Sequence, residues 1–481
     1  MPDSVKAGIE IHQQLDTGKL FCRCSSAMAE QPAGQVTRKL RAVAGETGDI
    51  DIAAAEATSK GKVYTYKTFK GESCLVELDD EPPQMMDPTV LGAALEIALL
   101  LNCTIPDEVE VMRKTVIDGS NTSGFQRTAV VGLNGHINTS FGKVGIPSVA
   151  IEEDACMIIS RSKEGDTYAL NRLGIPLVEI GTAPDCKSPA QVKELAEKLG
   201  LLLRSTGKVK RGLGTIRQDV NVSIPGGDRV EIKGAQDLAL IPKLVQTEAS
   251  RQASTLKSGK KVAREVRKAE KDATTTYLRL LPGAARLYPE TDIPPIRISK
   301  SIIGYIRKNL PELLEDKISA LTNTHKLDPN IAKNIAKDKR KLALFERISS
   351  LKNVKPSFAA DVLLSYERTL PGDHTKVTDQ DIEKAFVALD QGLIENKSVM
   401  VLLAEVSEGR GFNIDKYEIT ARSEDDAFNL VQKVIAANPQ ALALPRPEAA
   451  LMGLIMKENR GQFPGALLAR VLKEELAKRA K

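Results

Sequence analysis

Glu179 sits inside an unbroken apolar run, IPLVEIG, where an ionised carboxylate is costly unless a cation meets it. Other acids occupy comparable settings. In GIEIHQQL, Ala7, Ile9 and Ile11 fall on one face of a strand and Glu10, His12 and Gln14 on the other. Glu152, Glu153 and Asp154 close a strand-like run, VGIPSVAIEED. Asp219 and Glu231 lie in a hairpin, IRQDVNVSIPGGDRVEIKG, whose even positions Ile216, Val220, Val222, Ile224, Val230 and Ile232 are apolar. Facing residues on antiparallel strands share a sheet face, so even must pair with even and the loop must be odd in length. Ile224 opposite Val230, with a loop at 225–229, meets that condition and leaves Asp219, Asn221 and Glu231 on one polar face. Carboxylates on neighbouring strands beside one imidazole suit a hard divalent cation. Mg²⁺ takes about six ligands at ~2.0–2.1 Å and usually shares them with phosphate oxygens. Taken singly, each acid could equally be solvated or paired with Lys or Arg.

A second polar stretch, VMRKTVIDGSNTSGFQRT, is dense in hydroxyls, amides and Gly. Its backbone donors, with Arg113, Lys114, Ser120, Asn121, Thr122 and Ser123, suit a phosphate or a carboxylate, and an ordinary turn cluster is the alternative. Several chemistries are excluded. There is no GxxxxGK[ST] loop, no GxSxG and no HExxH. Only four His exist (His12, His136, His325, His374), too few for a His-rich zinc site. Cys22 and Cys24 form a CxC pair that would need two further ligands from afar, so buried thiols are the favoured reading.

The elements that must position these groups divide the chain. Up to about residue 300, β-type alternation, Gly and Pro dominate; KVYTYKTF, CLVEL and VGIPSVAIEED read as strands. Helices are expected near 91–101 and over SPAQVKELAEKLGLLLRSTG. In the latter, Ser188 caps, Pro189 opens, and Val192, Leu195, Leu199 and Leu202 form the buried stripe. Beyond YPETDIPPIRIS the pattern turns helical, with a Gly-containing link, EGRGFN, near 408. The expected architecture is α+β: an antiparallel β domain at 1–299, a helical domain at 300–407 and a helical tail at 408–481.

At 481 residues, two or three domains are the prior. No apolar run approaches the ~20 residues of a membrane helix, and the N-terminus lacks a signal peptide's apolar core. Six Cys fit a reducing cytoplasm rather than a disulfide scaffold. Net charge is only +5, but it is concentrated: 255–271 holds seven Lys/Arg against two Glu, and 457–481 seven against three acids. The remainder is net acidic, which suits a polyanion held away from a carboxylate-rich centre, although solvated helix faces would look alike. With no Trp and 4% aromatics, recognition by base stacking is disfavoured against phosphate and shape contacts.

Read as motifs, GIEIHQQLDTGKLFCRC, CLVELDDEPP, RKTVIDGSNTSGFQRT, EEDAC, YALNRLGIPLVEIGTAPD, IRQDVNVSI and LPGAARLYPETDIPP resemble the GatB/GatE family, the kinase-transamidase components of tRNA-dependent amidotransferases. HQQLDT, DGSNTSGFQRT and PGAARLYPETDIPP are nearer its GatE branch, and LMGLIMKENRGQ is similar to its YqeY-type tail. The resemblance implies a glutamine-synthetase-like cradle domain that uses ATP and Mg²⁺ to phosphorylate Glu on tRNA(Gln). Ammonia from an asparaginase-like partner, GatD, would then displace phosphate within a hetero-oligomer, with no membrane involved. It places the metal on Glu10, His12, Glu153, Glu179, Asp219 and Glu231, the first four also catalytic, with Glu152 and Asp154 in support. Arg113 and Lys114, then Asn171 and Arg172, are assigned to ATP or acyl phosphate. Two alternatives accompany this reading: a GatB-like protein acting on Asp- and Glu-tRNA, and a non-catalytic tRNA-binding or assembly protein of the same fold. The GatE branch usually carries an aspartyl-tRNA-synthetase-like insertion before LPGAAR. Here the sequence runs straight across that junction, so the insertion is expected to be missing.

Overall fold

The computed structural model describes residues 5–42, 44, 48, 50, 55, 58, 59, 61–281, 287–414, 424–443, 447–458 and 465–479. Residues 282–286 of the LPGAAR motif, 459–462 of LMGLIMKENRGQ and parts of the basic stretch 457–481 lie outside them. Two compact units, Met1–Glu315 and Asp316–Lys481, make up the chain.

The first unit is built on β1 (Lys6–Gln14), β2 (Gly34–Arg38), β3 (Val63–Thr68), α1 (Pro88–Leu100), β4 (Glu108–Val109), β5 (Val111–Thr115), β6 (Phe125–Thr139), β7 (Gly142–Glu153), β8 (Met157–Arg161), β9 (Gly165–Ala169), β10 (Pro176–Gly181), α2 (Pro189–Ser205), β11 (Ile216–Ser223), β12 (Val230–Lys233), α3 (Ile241–Lys257), β13 (Glu265–Ala269), β14 (Thr275–Leu280), β15 (Leu287–Pro289), β16 (Ile296–Arg297) and α4 (Lys300–Lys308). Ten strands form one sheet in the order β14-β13-β12-β11-β1-β10-β7-β6-β5-β15, antiparallel except between β12 and β13. A second sheet runs β2-β3-β9-β8.

Alternation explains the layering. Ile11 faces Ile180, Ile9 faces Val220 and Ala7 faces Val222, and these side chains are fully buried in one core with apolar residues of α1, α2 and α3. Ser188 accepts from the Gln191 amide at the start of α2, whose stripe is Val192, Leu195, Leu199 and Leu202. The hairpin pairs Val222 with Val230 and Asn221 with Glu231, so even meets even, but the loop is two residues longer than expected. CLVEL is not a strand. Residues 75–79 are turns, because the Cys74 amide donates to the Glu77 carboxylate (2.8 Å) and the Leu78 amide to the Cys74 carbonyl (3.2 Å).

The second unit is helical: α5 (Leu314–His325), which begins at the boundary, then α6 (Pro329–Lys337), α7 (Lys339–Ser349), α8 (Pro356–Thr369), α9 (Asp379–Asp390), α10 (Asn396–Ser407), α11 (Glu424–Ala437), α12 (Pro447–Glu458) and α13 (Gly465–Arg479). Val431, Ile435, Leu451, Leu468 and Leu472 form the core of its last three helices. Among the described residues no helix is long and apolar enough to cross a membrane.

Candidate active site

The register that buries one sheet face gathers acids on the other. His12 pairs with Glu179, and Glu10 pairs with Asp219. His12 Nε2 stands 3.5 Å from Glu179 Oε2, 3.6 Å from Glu10 Oε1 and 3.6 Å from Glu152 Oε2. Glu10, His12 and Glu179 each offer a ligand atom within 4.8 Å of the others. Two lysines border the group. Lys114 Nζ donates to Glu152 (2.6 Å) and lies 3.8 Å from Glu179; Lys233 Nζ meets Asp219 (2.9 Å) and Glu231 (2.8 Å). Five carboxylates therefore face two lysines and one imidazole, and the deficit of positive charge is what a divalent cation would fill.

The titration properties follow from this crowding. Burial, then Glu179, push Glu10 up to about 7, against the pull of His12. Burial opposes ionisation of Glu179 too, but His12, Lys114 and Glu152 hold it well below the usual carboxylate range. For His12, burial pulls downward and is outweighed by Glu179, Glu152 and Glu10, so the imidazole is raised. Burial and Glu179 raise Glu152. Acids crowded in this way titrate as a coupled group rather than one by one.

Glu153 differs from its sequence assignment. Successive residues of β7 point to opposite faces, so Glu152 joins Glu179 and Glu153 faces away. Arg127 holds it: the backbone amide donates to Glu153 Oε2 (3.1 Å) and Nη1 lies 3.4 Å from Oε1. Arg127 Nε also donates to Glu290 (2.8 Å), a fully buried carboxylate that receives Arg113 as well. The Phe125 ring packs against both guanidiniums, 4.6 Å from that of Arg113 and 5.1 Å from that of Arg127.

The remaining assigned residues are engaged inside the protein. Arg113 is matched by Glu290 and Asp292. Arg172 donates to the Ala155 and Cys156 carbonyls (both 2.8 Å), and Asn171 to the Ala29 carbonyl (3.0 Å). Asp154 accepts from Gln14 (2.7 Å) and Arg217 (2.9 Å). Sequence reasoning missed Arg127, Glu290, Gln126 and Lys233. Gln126 donates to Glu152 (3.3 Å) and to the Glu153 carbonyl (2.6 Å). The parity of VAIEED could have separated Glu152 from Glu153; no local signal ties Arg127 to Glu290.

Cys74 and Glu77, distant in sequence, stand beside the CxC pair, and the Cys22 thiol donates to Glu77 (2.7 Å). Cys22, Cys24, Cys74 and Glu77 bring four donor atoms within 4.8 Å of one another, a thiol-rich set that suits zinc better than magnesium. Burial, then Glu77, push the Cys22 thiol up; burial and Glu77 push Cys74 up to about 12. Lys19, fully buried, lies 3.3 Å from Glu77.

Comparison with known proteins decides the lineage. Residues 5–304 match the model of the GatB/GatE catalytic domain, and 348–476 that of the GatB domain. The chain belongs to the GatB/GatE family. It is 35% identical to the glutamyl-tRNA(Gln) amidotransferase GatE protein of Methanocaldococcus jannaschii, over 98% of both chains. It is 32% identical to the GatE protein of Thermococcus sibiricus over 98% of both, and 34% identical to that of Pyrococcus abyssi over 94% of this chain and 93% of the other. The Methanocaldococcus alignment spans 619 positions against 481 residues here, an excess of 138, so at least that many positions have no counterpart in this family member.

Proposed function

We propose that this chain converts Glu-tRNA(Gln) to Gln-tRNA(Gln), the activity named for its relatives, by ATP-dependent activation of the glutamate side chain and its amidation by ammonia. The observation that carries the reading is the convergence of Glu10, His12, Glu179 and Glu152 on one sheet face, within the catalytic-domain segment.

The chemistry requires such a site. A carboxylate is a poor acyl donor because its leaving group is oxide; phosphorylation turns that oxygen into part of a good one. Mg²⁺, when bound, would supply charge neutralisation on the transferring phosphoryl group. Glu10, Glu179 and His12 would hold it, with coordination positions left for phosphate oxygens. Lys114 keeps Glu152 and Glu179 apart from full mutual repulsion and brings a positive charge beside the site. Asp219 and Glu231, tied by Lys233, line the same face and would bind through water or on the side of the nucleotide. Arg127 and Arg113 act from the opposite face by fixing the strand ends that carry Glu152 and Lys114.

The partners in this reading are tRNA(Gln) charged with Glu and an asparaginase-like protein, GatD, that supplies ammonia in a cytoplasmic hetero-oligomer. In the basic stretch 255–271, Arg267 is taken by Glu265 and Glu248, while Lys257, Lys260, Lys261 and Arg264 are exposed and available to phosphates. The test is to incubate the chain with Glu-tRNA(Gln), ATP, Mg²⁺ and ammonium chloride and to identify the esterified amino acid. Gln supports the reading. Bound tRNA with no Gln and no phosphate release would assign a scaffold role instead.

A further inference from the structure

Three tyrosine hydroxyls donate to three consecutive carbonyls of the loop between β5 and β6. Tyr64 reaches the Ile117 carbonyl (3.2 Å), Tyr168 that of Asp118 (2.8 Å) and Tyr66 that of Gly119 (2.8 Å). The next two are taken as well: Ser120 accepts from the Cys156 amide (2.8 Å) and Asn121 from the Gly124 amide (3.2 Å). The amides behave in the opposite way. Among the described residues, the N–H groups of Ile117, Asp118, Gly119, Asn121, Thr122 and Ser123 meet no protein acceptor, and that of Ser120 turns to the Asp118 side chain (3.0 Å). Successive amides that lack protein acceptors while their carbonyls are tied down are the material of an anion-binding nest.

Its place is informative. The loop begins just beyond Lys114 and ends just before Gln126, both of which contact Glu152. The tyrosines come from the other sheet: Tyr64 and Tyr66 alternate on β3, and Tyr168 pairs with Tyr66 across β9. All three rings are buried, and those of Tyr66 and Tyr168 stack at 5.8 Å, which fixes where the hydroxyls point. Burial raises all three phenols, so they remain donors throughout the working pH range. Gly119 is required at the contact: its φ is +86°, and a Cβ there would lie 2.3 Å from the Tyr64 ring.

We propose that Tyr64, Tyr66 and Tyr168 are positioning residues that hold this loop with its amides open to the oxygens of the phosphoryl group transferred to glutamate. The inference rests on the amidotransferase reading above. Donors fixed beforehand pay no reorganisation when charge develops, whereas a loose loop would incur it at each turnover.

The test uses the full chain with Glu-tRNA(Gln), ATP, Mg²⁺ and ammonium chloride. Tyr66→Phe and Tyr168→Phe keep the rings and remove only the hydroxyls. Each should lower kcat about 10-fold and the pair about 100-fold, with KM for Glu-tRNA within about 2-fold of wild type. Should one variant melt early, Tyr64→Phe carries the same measurement. Unchanged kcat in folded variants overturns the clamp, as does a loss of kcat matched by an equal rise in KM and a lowered Tm, which is the signature of damage to the fold alone. A wild-type chain that binds Glu-tRNA without forming Gln-tRNA overturns the amidotransferase reading and the clamp with it.

Discussion

Replacing Glu10 by Gln should stabilise the metal-free protein while destroying its function. The side chain keeps its size, so the effect is electrostatic. In the folded state the carboxyl is raised from 4.5 to about 7 by burial and Glu179. The sign follows from linkage: between those values the folded state binds the proton more tightly than the unfolded chain, so stability falls as pH rises through the window. Above pH 7 the penalty is complete; below 4.5 it vanishes. Its full size corresponds to about 3 kcal/mol, and solvent screening reduces this to about 1–2 kcal/mol, since the side chain is 30% exposed. In EDTA at pH 8 the variant should therefore melt about 2–4 °C above wild type, and at pH 5 the gap should shrink towards zero. Saturating MgCl₂ should reverse the order at pH 8, because 100-fold excess over Kd adds about 2.7 kcal/mol to the binding-competent protein only. Wild-type affinity for Mg²⁺ should also fall by about tenfold or more per pH unit below pH 7, because Glu10 and the raised His12 imidazole must both give up protons to ligate. Differential scanning calorimetry with and without MgCl₂ reads all of this. A variant that melts below wild type in EDTA at pH 8, or a Mg²⁺ increment equal in both proteins, would refute the reasoning.

The other expectations follow from the neighbouring networks. Arg127→Met leaves Glu153 buried without its cation and Glu290 with Arg113 alone, and urea unfolding should show a loss of about 3–5 kcal/mol; a loss under about 1 kcal/mol would mean the network is not structural. Zinc analysis of the purified chain should give about one ion per molecule, lost in Cys74→Ser together with resistance to chelator-induced melting. Equal zinc in the variant would dismiss the Cys22–Cys24–Cys74–Glu77 group as a metal site. Gly119→Ala forces a methyl into the Tyr64 ring and should cost about 1–3 kcal/mol with a larger fall in kcat than in tRNA affinity, measured by equilibrium binding and single-turnover amidation.

Much of the cradle was visible in the residues because strand parity is a local property. The alternation in GIEIHQQL and in the Asp219–Glu231 hairpin placed the apolar and acidic faces as the strand registers show them, and Glu179 stood out as a lone carboxylate in an apolar run. Glu153 was assigned from the family resemblance, and parity points to its neighbour instead. Counting VAIEED from Ala150, which faces Glu179, puts Glu152 and not Glu153 beside His12. The hairpin loop length escaped because odd loops of five and seven satisfy the same parity. CLVEL looked like a strand from its apolar content, yet a carboxylate three residues after Cys74 captured the backbone and curled it. Arg127 with Glu290, and Cys22 with Glu77, are contacts over long sequence separations between residues whose types are individually ordinary. The tyrosines of VYTYKT and DTYAL were counted only as scarce aromatics, because their role is set by carbonyls about fifty residues away in the chain.

The most direct measurement is the amino acid esterified to tRNA(Gln) after reaction of wild type and Glu179→Gln with Glu-tRNA(Gln), ATP, Mg²⁺ and ammonium chloride, with tRNA binding measured on the same samples. The account predicts Gln from wild type only in the presence of both ATP and Mg²⁺. Glu179→Gln should give neither Gln nor phosphate release, at a tRNA affinity within about 2-fold of wild type. Gln formation by the variant, or by wild type without a divalent cation, would contradict it.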